Sequence, residues 1–149
     1  PIGAFVAGAG TGGTLSGVGR RLKQADPRVR IVLADPVGSG LAHWVRTGEL
    51  GPDASYELEG IGSSKVPANL HRDVLDAAET VSDAESFAMV QRLVREEGLL
   101  VGGSAGANVA AAVRVAARSG LCGPVVTVLC DAWDRYRAKP WMQNWPPVV

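Results

Sequence analysis

The chain has 149 residues, 46% hydrophobic and 20% charged, with fifteen basic residues balancing fifteen acidic ones. That length supports one domain with a real core, and the composition excludes a disordered chain. With no net charge, no basic cluster and no apolar run of bilayer-spanning length, nothing argues for a nucleic-acid or membrane partner.

An apolar run over residues 2–7 predicts a strand. It leads into Gly8-Ala9-Gly10-Thr11-Gly12-Gly13-Thr14, and helical spacing follows over 15–24. A glycine-rich turn between a strand and a helix N-terminus is a phosphate cradle. Without Cβ atoms, backbone N–H groups can approach an anion closely. The helix adds unpaired N–H groups and the positive end of its dipole. Thr11 and Thr14 add hydroxyl donors. No Gly-Lys-Ser/Thr ends the loop, which excludes a P-loop. The spelling does satisfy G-x-G-x-x-G, and Asp35 ends the next strand-like run, over 30–34, where a dinucleotide site carries its ribose partner. The threonines around the glycine pair suit a compact monophosphate instead. The motif alone leaves three readings open: a single-phosphate site, a dinucleotide site or a structural tight turn.

Asp26-Pro27 stops the first helix. A loop over 35–40 precedes a short helix over 41–47. Residues 48–72 are rich in Gly, Pro and Ser and predict irregular chain over a surface or cleft. Ser82-Asp83-Ala84-Glu85 is a capping box opening a helix with Phe87, Val90 and Val94 on its apolar face and a stop at Gly98. Leu99-Leu100-Val101 reads as a strand. Gly102-Gly103-Ser104-Ala105-Gly106 is a second glycine turn, opening an alanine-rich helix to about residue 118. Residues 124–129 predict the last strand, and 130–149 a polar loop with a tryptophan-bearing tail. This alternation predicts an α/β three-layer sandwich with a mostly parallel sheet. Both glycine turns share one layout, so if their strands neighbour each other, both helix N-termini converge on one ligand.

Together these features resemble the fold-type II pyridoxal-phosphate enzymes, in the branch of cystathionine β-synthase and cysteine synthase. The matching segments are residues 8–17, Ala34-Asp35-Pro36-Val37-Gly38-Ser39, Glu59-Gly60-Ile61-Gly62 with Pro67 after it, and Glu96 through Gly106. The match runs from Gly3 to Trp145 and corresponds to roughly the C-terminal half of the family's catalytic region. The resemblance implies that Gly10, Thr11, Gly12, Gly13 and Thr14 surround the phosphate of pyridoxal 5′-phosphate. It implies that the Ser104 hydroxyl faces the pyridine nitrogen, and that Gly60 and Gly62 line the amino-acid side of a cleft that closes. Ser104 also reads as a helix N-cap. A hydroxyl at the pyridine nitrogen, unlike a carboxylate, does not hold it protonated, which favours β-replacement. The implied substrates are serine or O-acetylserine with homocysteine or sulfide, giving cystathionine or cysteine. The implied assembly is a cytoplasmic homodimer. Asp35 through Ser39, Glu59, and Tyr136-Arg137-Ala138-Lys139 with Trp145 lean toward cystathionine β-synthase. The rivals are a serine/threonine dehydratase-like lyase, a non-catalytic remnant acting as a binding subunit, and a dinucleotide binder using Asp35.

The family's Leu-Pro-Asp-Ser/Gly stretch here reads Leu129-Cys130-Asp131-Ala132-Trp133, which changes the ring-side wall. Cys130 is expected as a packed thiol and not a nucleophile. Cys122 and Cys130 read as reduced thiols, and no metal site is expected. His43 and His71 read as surface or satisfied histidines. Trp44, Trp141 and Trp145 read as packing or interface residues, and Glu96-Glu97 as a solvated helix end. The family's Schiff-base lysine and Thr-Ser-Gly-Asn-type loop are expected upstream of Pro1. Lys23, Lys65 and Lys139 match neither, so no catalytic residue is assigned. Residues 1–149 are expected to be one α/β unit, incomplete at its N-terminus and without β-replacement activity alone.

Overall fold

In the computed structural model, which describes residues 1–118 and 120–143, a four-stranded parallel sheet runs through the centre. The strands are β1 (Ala4–Gly8), β2 (Arg30–Pro36), β3 (Ala77–Val81) and β4 (Val125–Thr127), in the order β3-β2-β1-β4. The helices are α1 (Gly13–Ala25), α2 (Leu41–Thr47), α3 (Asp83–Glu97), α4 (Gly103–Ala116) and the short α5 (Pro140–Gln143). A parallel sheet must be covered on both faces, and alternation along the central strands does this. Phe5, Ala7, Ile31 and Leu33 pack with Leu15 of α1 and Leu41 of α2. Ala4, Val6, Val32 and Ala34 face the opposite way, against Ala107, Ala110 and Ala111 of α4. Small alanines let α4 lie close over the sheet, and α3 packs beside it. The expected three-layer α/β architecture is therefore present.

Most elements stand within a residue or two of their sequence expectation. The α2 bounds match, and residues 48–71 hold no helix or strand. The capping box of α3 is complete: Ser82 Oγ accepts from Glu85 N–H and the Glu85 carboxylate accepts from Ser82 N–H. Four points differ. The helix expected to reach about residue 118 ends at Ala116, and β4 is shorter than 124–129. The edge strand β3 was not anticipated, because Ala77-Ala78-Glu79-Thr80-Val81 carries few large apolar residues. Leu99-Leu100-Val101 is not a strand. Gly98 ends α3 in the left-handed conformation, and Leu99 N–H bonds back to Leu93 C=O at 3.0 Å. Such a helix stop uses up the backbone a strand would pair. Leu99 and Leu100 are consequently exposed, and Val101 makes only an isolated bridge to Ala132. Trp44 packs on the core, while Trp141 stacks on Phe87 at 4.5 Å. Trp145 lies outside the described residues.

Candidate functional site

β1 ends at Gly8 and α1 begins at Gly13, so the four residues between sheet and helix lie within the glycine turn itself. Gly12 is the N-cap of α1, with φ +83°, a conformation L side chains rarely adopt. A Cβ there would lie 2.6–2.7 Å from Leu70 atoms. No side chain caps α1 and its first turn carries no acid. Ser16 N–H, bonded to Gly12 C=O, begins the helical ladder. The N–H groups before it point out of the helix end with the positive dipole behind them.

A pocket of about 520 Å³ opens in front of that end, lined by Ala7, Gly8, Gly10, Thr11, Thr14, Gly60, Ile61, Val128 and Cys130. It sits at the C-terminal ends of β1 and β4, whose ladder stops at Val6 and Thr127. One wall is the irregular segment around Gly60, and another is formed by Val128 and Cys130. That segment is tied to the loop by Gly62 N–H, which donates to Ala9 C=O at 3.0 Å. A Cβ on Gly10 would stand 2.5 Å from Gly60 C=O, so the two backbones meet only because Gly10 has no side chain.

Four of the eight expected site residues line the pocket: Gly10, Thr11, Thr14 and Gly60. Gly12 and Gly13 form the loop's turn into α1 behind them. Gly62 faces away from the pocket, against Tyr56 and Pro36. Ser104, 4% exposed, is not itself a lining residue; its hydroxyl stands beside Cys130, whose Sγ lies 3.7 Å from the Asn108 amide nitrogen. Ser104 is not the N-cap of α4; Gly102 is, and no side chain caps that helix. Cys130 is not a packed thiol as expected, because the chain turns out of β4 and leaves it exposed on the pocket wall. Burial of its sulfur, and then the Asp131 carboxylate, push the thiol's pKa up, and the bonds from Ser104 and Asn108 only partly offset this. A protonated thiol is a poor nucleophile.

Asp35 is fully buried and accepts from Ala42 N–H at 2.7 Å at the start of α2. It is unavailable to a ribose, and burial raises its pKa despite the bond from Ala42 N–H and the nearby Ser39 hydroxyl. No lysine lines the pocket: Lys23 pairs with Asp76, and Lys139 with Glu59. Glu96 pairs with Arg92 on the surface of α3. Among the described residues no cluster could hold a metal ion, and no helix is long and apolar enough to cross a membrane. Sequence reasoning missed Ile61, Val128 and Asn108. Asn108 had a readable signal: it stands one helical turn after Ser104, a lone amide in an alanine-rich stretch.

Residues 1–131 match the family described as pyridoxal-phosphate dependent enzyme. The chain is 40% identical to cysteine synthase 2 of Schizosaccharomyces pombe, over 91% of this chain and 38% of that protein. It is 41% identical to cystathionine beta-synthase of Apis mellifera, over 95% of this chain and 28% of that protein. Among solved structures, an O-acetylserine dependent cystathionine beta-synthase from Helicobacter pylori superposes with a TM-score of 0.83 and 38% identity, covering 93% of this chain and 43% of that one. An O-ureido-L-serine synthase superposes with a TM-score of 0.85 and 31% identity, covering 100% and 45%. The chain thus spans less than half the length of these relatives.

Proposed function

The chain belongs to the pyridoxal-phosphate dependent enzyme family, and from that premise we propose that the full-length protein catalyses β-replacement on serine or O-acetylserine. The acceptor is homocysteine or sulfide and the product cystathionine or cysteine. The observation that carries this reading is the uncapped N-terminus of α1 opening on a pocket lined by Gly10, Thr11 and Thr14.

These residues fit the phosphate end of the cofactor. Gly10, Thr11, Gly12, Gly13 and Thr14 would hold it by backbone N–H groups and two hydroxyls, with no carboxylate lining the pocket to oppose a dianion. Ser104 would meet the pyridine nitrogen. Bound pyridoxal phosphate supplies an electron sink for the substrate's α-carbon. The neutral Ser104 hydroxyl would leave the ring without a counter-charge, favouring loss of a β-substituent over a long-lived carbanion. Gly60 and Gly62, both at φ +82°, give the facing segment a backbone that few other residues could adopt. We place Gly60 against the amino-acid substrate and Gly62 behind it, joining that segment to the loop. We further propose a cytoplasmic homodimer in which residues 1–149 form the phosphate side of the site, inactive without the segment bearing the Schiff-base lysine.

The test supplies full-length protein and pyridoxal phosphate with O-acetylserine or serine, and homocysteine or sulfide, and identifies products by mass spectrometry. Cystathionine or cysteine supports the reading. Release of pyruvate and ammonia without thiol incorporation would instead make the protein a dehydratase-like lyase. Cofactor binding without turnover would make it a binding subunit.

A further inference from the structure

Asn108 is fully buried on α4, and its amide joins the end of β1 to the residue just past β4. Its Oδ1 accepts from Gly8 N–H at 2.7 Å. Its Nδ2 donates to Val128 C=O at 2.9 Å and lies 3.7 Å from Cys130 Sγ. Gly8 opens the phosphate loop, whereas Val128 and Cys130 form the other wall.

Adjacent parallel strands are held about 4.8 Å apart by evenly spaced ladder bonds. The β1–β4 ladder stops at Val6 and Thr127. Beyond that point the Asn108 amide stands in for a peptide group, accepting from one strand and donating to the other. The pocket opens over this interruption. Ser104 lies four residues earlier, on the same face of α4. Pinning Asn108 therefore also fixes the rotation that aims the Ser104 hydroxyl at the Cys130 wall.

We propose that Asn108 is a positioning residue that sets the width of the crevice between the phosphate loop and the wall of Val128 and Cys130, and thereby its affinity for the cofactor. This rests on reading the pocket as the pyridoxal-phosphate site. A leucine at position 108 would fill similar space but leave Gly8 N–H and Val128 C=O unpaired. An aspartate would keep the acceptor for Gly8 and set a carboxylate against Val128 C=O until it is protonated.

The test uses full-length protein and 4′-deoxypyridoxine 5′-phosphate, which has the ring and phosphate but cannot bond covalently to a lysine. Affinity is measured by equilibrium dialysis at neutral and mildly acidic pH, with thermal unfolding alongside. Asn108→Leu should weaken binding roughly 10- to 100-fold at both pH values, as expected for buried groups left unpaired. Asn108→Asp should weaken it comparably at neutral pH and recover, relative to the unsubstituted protein, on acidification. Folded variants that bind like the unsubstituted protein, whatever their Tm, would overturn the proposal. Should Asn108→Leu not fold, Asn108→Asp decides through its pH profile. Failure of the unsubstituted protein to bind the probe would sink the cofactor-site reading, and this one with it, before any variant is made.

Discussion

The N-termini of α1 and α4 invite comparison. Both follow glycine turns, neither has a side-chain cap, and neither carries an acid in its first turn. They differ in what stands before them. The end of α1 opens on the pocket. The end of α4 meets the chain's own Asp131: Gly102 N–H donates to Asp131 C=O at 3.1 Å, and the carboxylate, bonded by the Tyr136 hydroxyl, stands against Gly102. A helix N-terminus draws negative charge in either case. At α4 the Asp131 carbonyl and carboxylate occupy that position, whereas α1 opens on the pocket that we propose takes the cofactor phosphate. A glycine turn is therefore not enough to make an anion site; residues far downstream decide whether it stays open. In the proposed site the two ends would not act alike on one ligand, because α4 would contribute the side of its first turn, through Ser104.

Gly12→Ala should break this contrast most severely. The left-handed backbone and the contact with Leu70 oppose any side chain. The expected loss is at least about 2 kcal/mol of stability and roughly tenfold or more in pyridoxal-phosphate affinity, read by chemical denaturation and cofactor titration. Asp131→Asn should sharpen it. Removing the charge at α4 should leave cofactor affinity within about twofold, since helix-end effects fall off within a turn. It should lower the pKa of Tyr136, which burial chiefly and the Asp131 carboxylate next hold above its ordinary value. Ultraviolet titration of the phenol measures that shift. A loss of affinity as large as that of Gly12→Ala would show the two ends to be coupled and the contrast wrong.

What the sequence makes legible divides along similar lines. β1, α1, β2 and α2 are readable because glycine, proline and apolar period mark each boundary within a few residues. The loop proposed to hold the phosphate is readable because its residues lie in one contiguous segment. β3 is not, because an edge strand with Glu79 turned to Arg118 lacks an apolar pattern. Leu99-Leu100-Val101 misleads because its apolar run is consumed by a helix stop. Asn108 and Val128 escape notice because their roles arise only when residues a hundred or more positions from the loop fold across it. Cys130 is visible as a departure, but its exposure follows from where β4 ends.

The smallest expected effect tests how local the anion site at α1 is. Asp26 caps the opposite end of that helix, where a negative charge opposes the dipole. The Arg28 guanidinium and then its backbone N–H hold the Asp26 pKa down to about 2, from an ordinary 3.8. Because the folded value lies below the unfolded one, the stabilisation is present above the ordinary value and is lost as pH falls toward about 2. Arg28→Ala should let the Asp26 pKa rise part of the way back, since the backbone N–H at position 28 still donates; carboxylate NMR titration measures it. Tm should barely move, because Arg28 is exposed and Asp26 only partly buried. Cofactor affinity should not change. The 13 residues of α1 span about 20 Å, while screening at physiological salt acts over about 8 Å. If affinity did change, the phosphate would be sensing the charge along the whole helix. The N–H groups of one turn could then no longer account for the difference between α1 and α4.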